Sequence, residues 1–433
     1  MERRAASVSR EYHERHRTID LESRRHALRA FANRVYEERL GLQPTPGERA
    51  TIEALSSPET LLLEIAHDGQ LPDLGIVRMV LKTRDIARLD GRAATLYLIG
   101  NHYSPEMRPD NIHFGMPLRG RPPNQVKQPP KLRIGKSNVR TPFRLLPPPK
   151  VDELTALRAL VLQYTEHNLA HERKSGVRID EHAPETVERR LDDLFVLLRH
   201  ASETVQNLGD WLIRVQHDLM QKMLGPDADA IMFLPMTELT ELFRDELVRI
   251  ARSVDVTEPA KDRSGAVQRA QVRESSPQQV QASSFWIYCP GCFRRTRVAL
   301  RGKLTVTHVC AACGHRQTLS EPELWRWLMP DIVAYEAGLF RLGIGGWVIG
   351  SPAPYHENIE RAYRAIFGEE MPPKFLLASV PTFRGVGDPP EGYGKTRLLR
   401  AWLEAEPSAL ATALRAPWNE NPRIRSDILP RAP

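Results

Sequence analysis

All four cysteines of this 433-residue chain fall within 25 positions, as Cys289-Pro-Gly-Cys292 and Cys310-Ala-Ala-Cys313. No other feature constrains the fold as tightly. Two cysteines three apart on a tight turn aim both sulfurs at one point, and two such turns complete a tetrahedral site of four thiolates. Such a closed site is expected to hold one structural ion, zinc before iron. A pair of catalytic dithiols is disfavoured, because a redox Cys-x-x-Cys opens a helix and nothing helical follows Cys292. His308 and His315 lie close by, but four thiolates already fill a tetrahedron. Four cysteines in a chain of this length are too few for a disulfide framework.

Between the pairs the sequence suits a small sheet, with strands over 296–300 and 304–309 and a turn at Arg301-Gly302-Lys303. Ligand turns at the ends of short strands resemble the zinc-ribbon family, over residues 285–320 alone. That family includes modules of transcription factors, RNA polymerase subunits, topoisomerases and ribosomal proteins. The resemblance implies a zinc-stapled fold but no particular task.

Charge separates this segment from the rest. The chain's net charge is only +7, yet residues 285–320 contain Arg294, Arg295, Arg297, Arg301, Lys303 and Arg316 and no acid. Residues 108–150 carry ten basic side chains against Asp110 alone, so the remainder of the chain is net acidic. Acid-poor basic segments release counterions from a polyanion on binding, which drives sequence-independent nucleic-acid association. The ribbon segment adds Phe285, Trp286, Tyr288 and Phe293, aromatic residues on which bases could stack. Trp286 is expected in the small core beneath the metal.

Along the chain, apolar periodicity and breakers divide the sequence into six parts. Residues 1–100 read as an α+β N-terminal domain: near-helical spacing of Leu21, Leu28, Phe31, Val35 and Leu40 stops at Gly41, and 94–100 (ATLYLIG) reads as a buried strand. Residues 59–67 (ETLLLEIAH) read as a short helix, and Asp90-Gly91 as a hairpin turn. Residues 101–150, rich in proline, read as a basic arm or long irregular loop that would order on binding. Residues 151–253 read as a helical bundle, with Leu154, Leu157, Val161 and Tyr164 on one face of its first helix. Residues 254–284 have linker composition. The ribbon follows, and then an α-rich C-terminal domain over 321–433, with helices at 321–329, 354–367 and 395–404 and a strand at 375–380. The fold class expected is therefore mainly α, multi-domain α+β.

A helix-turn-helix over 59–82 would carry Gly75 inside its recognition helix. Gly392-Tyr-Gly-Lys-Thr396 lacks the first glycine of a phosphate loop, since Pro389 stands there, and too little chain follows. His167 and His171 share a helix but have no Glu-x-x-His partner motif. The loop 100–113 follows a strand and offers His102, Arg108, Asp110 and His113 for proton transfer and anion binding, without matching a spacing-defined motif.

The resulting expectation is a non-catalytic nucleic-acid-binding protein, DNA favoured over RNA. Arg294, Arg295, Arg297, Arg301 and Lys303 of the ribbon and Lys127, Lys131, Arg133, Lys136 and Arg140 of the arm would contact phosphates. The alternatives are an enzyme acting on nucleic acid or another anion through the 100–113 loop, and an assembly adaptor that contacts only protein subunits. No apolar run reaches the roughly 18–20 residues of a membrane span, and the charged N-terminus is not a secretory signal, so a cytoplasmic or nucleoid-associated protein is expected.

Overall fold

A computed structural model describes residues 20–68, 93–108, 130–176, 183–253 and 285–347, apart from 299 and 301–303, together with Glu14 and Phe114. The linker, the hairpin turn at 90–91, the elements expected beyond 350 and the Gly392–Thr396 turn lie outside these residues. The described chain is mostly helical with a few small sheets, as an α+β class requires. No described helix is long and apolar enough to cross a membrane. The chain folds as two compact units that interleave in sequence: unit 1 is 1–31, 54–64 and 236–379, and unit 2 is 32–53, 65–235 and 380–433.

Helix α1 (Leu21–Arg34) begins in unit 1 and runs into unit 2, where a π-helical turn, Val35–Arg39, ends it. Leu28, Phe31, Val35, Tyr36 and Leu40 are buried along it, as their spacing predicts. The Leu40 amide closes the turn on the Val35 carbonyl at 2.9 Å. Gly41 follows at φ 58°, the left-handed position a helix stop favours glycine for.

In unit 2, α2 (Pro46–Ala54) lies mostly within the unit, and β2 (Ala93–Gly100) pairs in parallel with β3 (Ile231–Pro235) from Thr95↔Ile231 to Ile99↔Pro235. Every described side chain of both strands is buried, which suits their unbroken apolar runs: a parallel strand is covered on both faces. β3 lies within the stretch expected to be a helical bundle, and Ile231–Pro235 is too short for its period to tell strand from helix. Helix α3 (Val151–Lys174) buries Leu154, Leu157 and Val161 as expected. Tyr164 is only half-buried, and Thr165, Asn168, Leu169 and Glu172 continue the stripe instead. The next stretch of the expected bundle forms two helices, α4 (Ala183–Thr204) and α5 (Leu208–Leu224). The break is a cap: the Asn207 side chain accepts the Asp210 amide at 2.9 Å.

In unit 1, residues 59–67 are not the expected helix. β1 (Leu61–Asp68), which begins in this unit, pairs in parallel with β9 (Ile344–Trp347), with Leu61, Leu62, Leu63 and Ile65 all buried. A helix-turn-helix over 59–82 is thereby excluded. A short helix α6 (Met236–Leu239) leads through a 3-10 turn into α7 (Arg244–Ser253), which packs on α9 (Ile332–Arg341). Phe243 and Tyr335 meet edge-on at 5.5 Å, and the Tyr335 hydroxyl donates to the Met236 carbonyl at 3.1 Å. Arg25, wholly buried, donates to the carbonyls of Thr60 and Gly343 at 2.9 Å each.

Candidate metal centre

The four cysteines sit in two turns that repeat each other's hydrogen bonds. In the first, the Cys289 amide donates to Arg294 O at 2.9 Å and the Phe293 amide returns to Cys289 O at 2.8 Å. In the second, the Cys310 amide donates to His315 O at 2.9 Å and the Gly314 amide returns to Cys310 O at 2.8 Å. The fifth residue of each turn is left-handed: Phe293 at φ 57° and Gly314 at φ 71°. Glycine adopts that conformation without cost, whereas a β-carbon costs about 1 kcal/mol or more. Against that strain, the Phe293 ring lies 6.2 Å from Trp327.

The four sulfurs all lie within 4.8 Å of one another. Across the turns, Cys289 Sγ is 3.7 Å from Cys313 Sγ and Cys292 Sγ is 3.6 Å from Cys310 Sγ. A tetrahedron with metal–sulfur bonds of about 2.3 Å has edges of about 3.8 Å, while a disulfide would bring two sulfurs to about 2 Å. The donor set and its spacing therefore fit one tetrahedral metal ion. Without a cation, burial pushes the Cys289 thiol up to about 12. Cys310 is also penalised by burial, but the amides of Ala312 and Cys313 bring it down to about 7. No other group among the described residues has metal-ligand geometry, and His167 and His171 do not form one.

The sheet around the centre differs from the hairpin expected across 301–303. β4 (Phe285–Tyr288) is central, with β5 (Arg295–Arg297) antiparallel on one edge and β8 (Leu328–Pro330) on the other. β6 (Val306–Val309) pairs instead with β7 (Arg316–Leu319). Thus each cysteine turn connects the strands of its own hairpin. Helix α8 (Glu321–Trp327) follows, opened by a Ser320–Glu323 capping box.

Trp286 is not the core residue expected. Phe285, Ile287 and Tyr288 are buried, but Trp286 is half-exposed, with the Arg295 guanidinium 4.5 Å above its ring. Arg294 is exposed beside it. The register places Arg297 opposite Trp286. Arg301 and Lys303 lie outside the described residues. A second stack follows on α8, where exposed Arg326 lies 5.7 Å over Trp327.

The second basic segment is no free arm over its described part. Leu132, Phe143 and Leu146 are buried. The amides of Glu106, Phe143, Arg144 and Leu208 bond to Val139, Tyr103, Asn101 and Leu146 carbonyls at 2.7–3.1 Å. Two 3-10 turns interrupt it, so it is a long irregular loop seated on unit 2. Lys131, Arg133 and Lys136 are exposed, whereas Arg140 is held by both oxygens of Glu106 at 3.2 and 3.0 Å. Lys127 lies outside the described residues.

The loop after β2 brings together two of its four candidates. His102 stacks on Tyr103 at 4.1 Å and the Arg108 guanidinium lies 4.7 Å from the same ring. Asp110 and His113 are not among the described residues.

One buried constellation was not foreseen. His217 on α5 places Nε2 2.7 Å from Glu48 and Nδ1 2.8 Å from Asp218. Burial alone would lower its pKa, but bonds to Asp218 and Glu48 outweigh that and raise it. Burial likewise raises Glu48, and the His217 bond and charge bring it below the usual carboxylate range. Both ring nitrogens face carboxylate oxygens, which favours the imidazolium form. Gln221 donates to Glu48 and Asp229 at 3.0 and 3.3 Å, and Arg214 holds Asp218 at 2.8 Å. Tyr36 on the π-helical turn donates to Ile231 O at 3.3 Å and accepts from the Phe233 amide at 3.1 Å. The cluster borders the N-terminal end of β3, whereas sites on parallel sheets form outside the carboxyl ends. It therefore reads as a stitch between α2, α5 and β3. Glu48 and His217 are 169 positions apart, and only the Thr45–Glu48 capping box marked either in the sequence.

The chain matches no family model, and no curated protein matches it.

Proposed function

We propose that the chain is a zinc-ribbon nucleic-acid-binding protein, acting on DNA in preference to RNA as a non-catalytic regulatory or complex subunit inside the cell. Cys289, Cys292, Cys310 and Cys313 would hold one zinc ion, whose role with four thiolates and no open position is to staple the ribbon. Zinc rather than iron is proposed because a closed thiolate tetrahedron in a strongly basic segment suits a redox-inert structural ion.

The observation that carries the reading is the Arg295–Trp286 stack. It holds a guanidinium at the surface of a segment with no acid, next to exposed Arg294. Cations held this way meet phosphates with little further loss of side-chain freedom. Lys131, Arg133 and Lys136 would supply a second, looser contact. Filter binding of the zinc-loaded protein to duplex DNA across a salt series tests this. Arg294→Glu with Arg295→Glu should weaken binding about tenfold or more at low salt and reduce the salt slope by about 1 per lost phosphate contact. Absence of binding by the unsubstituted protein at low salt would overturn the proposal.

A second reading, an enzyme acting on nucleic acid or another anion, is favoured by one observation. His102 and Arg108 share the Tyr103 ring just beyond the carboxyl end of β2. His102→Ala should then abolish turnover while leaving binding intact.

A further inference from the structure

We infer that a groove in unit 2, between the proline-rich loop and the starts of α3 and α5, takes one unpaired base of a DNA strand. The inference rests on the nucleic-acid reading above and names what the loop would hold. The groove encloses about 180 Å³ and is lined mainly by apolar side chains, among them Leu132, Ile134, Leu146, Pro148 and Leu208. Its walls are well anchored. Leu132, Leu146 and Leu208 are buried, and the Leu208 amide donates to Leu146 O at 2.7 Å. Pro147, Pro148 and Pro149 form one side, and proline's locked φ leaves little backbone freedom to lose on binding.

Charge complementarity selects the occupant. Arg133 and Lys150 line the groove and are both exposed, and exposed Lys131 and Lys136 are close to them in sequence. Glu153 also lines it, but its carboxylate already accepts the Lys150 amide at 2.9 Å. Apolar walls with a basic rim suit a flat apolar group tethered to an anion, which is what a nucleotide is. The volume is below the roughly 300–1,000 Å³ of sites for larger organic ligands, and so suits one base better than a stretch of peptide. Asn138, exposed at the groove, carries an amide that can both donate to and accept from a base edge. A paired base is stacked inside its duplex and would have to be extruded before it could enter. Apolar walls reward the methyl group that thymine has and uracil lacks, so the strand proposed is DNA.

Filling the groove separates base capture from charge. Ile134→Trp, made in the zinc-loaded full chain, adds bulk at a half-buried position and removes no cation. Affinity is then measured by fluorescence anisotropy for a labelled thymidine oligomer, an abasic strand and a duplex of equal length. Thymidine-oligomer binding should fall at least fivefold, while the other two change less than twofold. Asn138→Ala, at an exposed position where folding is not at stake, should weaken the thymidine oligomer at least twofold and leave the abasic strand unchanged. With the unsubstituted protein, a deoxyuridine oligomer, which lacks only the methyl groups, should bind at least twofold more weakly than the thymidine oligomer. An equal fall for all three probes in Ile134→Trp, or no fall for the thymidine oligomer in either variant, would overturn the base pocket and leave nucleic-acid binding standing. Binding of an acidic tryptophan-containing peptide that is lost in Ile134→Trp, with the thymidine oligomer unaffected, would assign the groove to a protein partner instead. Deoxyuridine bound as tightly as thymidine would overturn the preference for DNA. No binding of any nucleic acid by the unsubstituted protein would overturn the underlying reading as well.

Discussion

Two polar clusters of this chain differ in how they are held. The ribbon gathers four thiols whose spacing could hold one metal ion. The Glu48–His217–Asp218 cluster of unit 2 carries its own cation, an imidazolium between two carboxylates, with Arg214 completing it. A segment of about 36 residues cannot bury enough apolar surface to fold unaided. Unit 2 packs Tyr36 and Phe233, both fully buried, edge-on against His217 at 5.8 and 5.6 Å. On the proposed reading metal loss should loosen the ribbon, whereas the unit 2 cluster is part of a core.

Metal removal should separate the two most sharply. A strong chelator, or Cys289→Ser with Cys310→Ser, should reduce zinc from about one per chain to none. Amide exchange over 285–320 should rise to the unfolded rate, because binding free energies of about 10–16 kcal/mol are at stake. Exchange over α5 and β3 should not change. Protection of the ribbon in the metal-free protein would remove the distinction.

Breaking the other cluster should have the next largest effect. His217→Ala leaves Glu48 buried without its cation, while Asp218 keeps Arg214, and should cost about 3–5 kcal/mol in denaturant unfolding of unit 2. Zinc content should be unaffected. The pH dependence has a definite sign. The His217 contribution is complete below its ordinary value of 6.5 and is lost as pH rises through its raised folded value. The Glu48 contribution is complete above its ordinary value of 4.5 and is lost as pH falls through its lowered one. The stability difference between the wild type and His217→Ala should therefore be greatest between those values. A difference that grows through pH 8 would contradict the imidazolium assignment.

The smallest effect expected lies within the ribbon. Gly314 is left-handed with no atom within 4 Å of where a β-carbon would stand. Gly314→Ala should therefore cost about 1 kcal/mol of strain alone, read as a modest drop in zinc affinity.

How far these regions could be read in sequence follows the same division. The cysteine turns were legible because ligand spacing is local, and so were α1 and β2. The pairing of β5 with β4 was not, since nothing local distinguishes it from a hairpin with β6. β1 and β3 were hidden by length: runs such as Leu61-Leu62-Leu63 fit a buried helix or a buried parallel strand equally. The π-helical turn that carries Tyr36 to β3, and the meeting of Glu48 with His217, depend on tertiary packing alone. At Trp286, aromatic character suggested core, and only the stacked Arg295 shows it to be surface.

The central claim is that the metal-stapled ribbon carries nucleic-acid binding. Its most direct test is the affinity of the full chain for duplex DNA at low salt, measured as purified, after zinc removal, and after zinc is restored. Affinity should fall at least tenfold on removal and return on reloading. Equal affinity in all three states would contradict the claim.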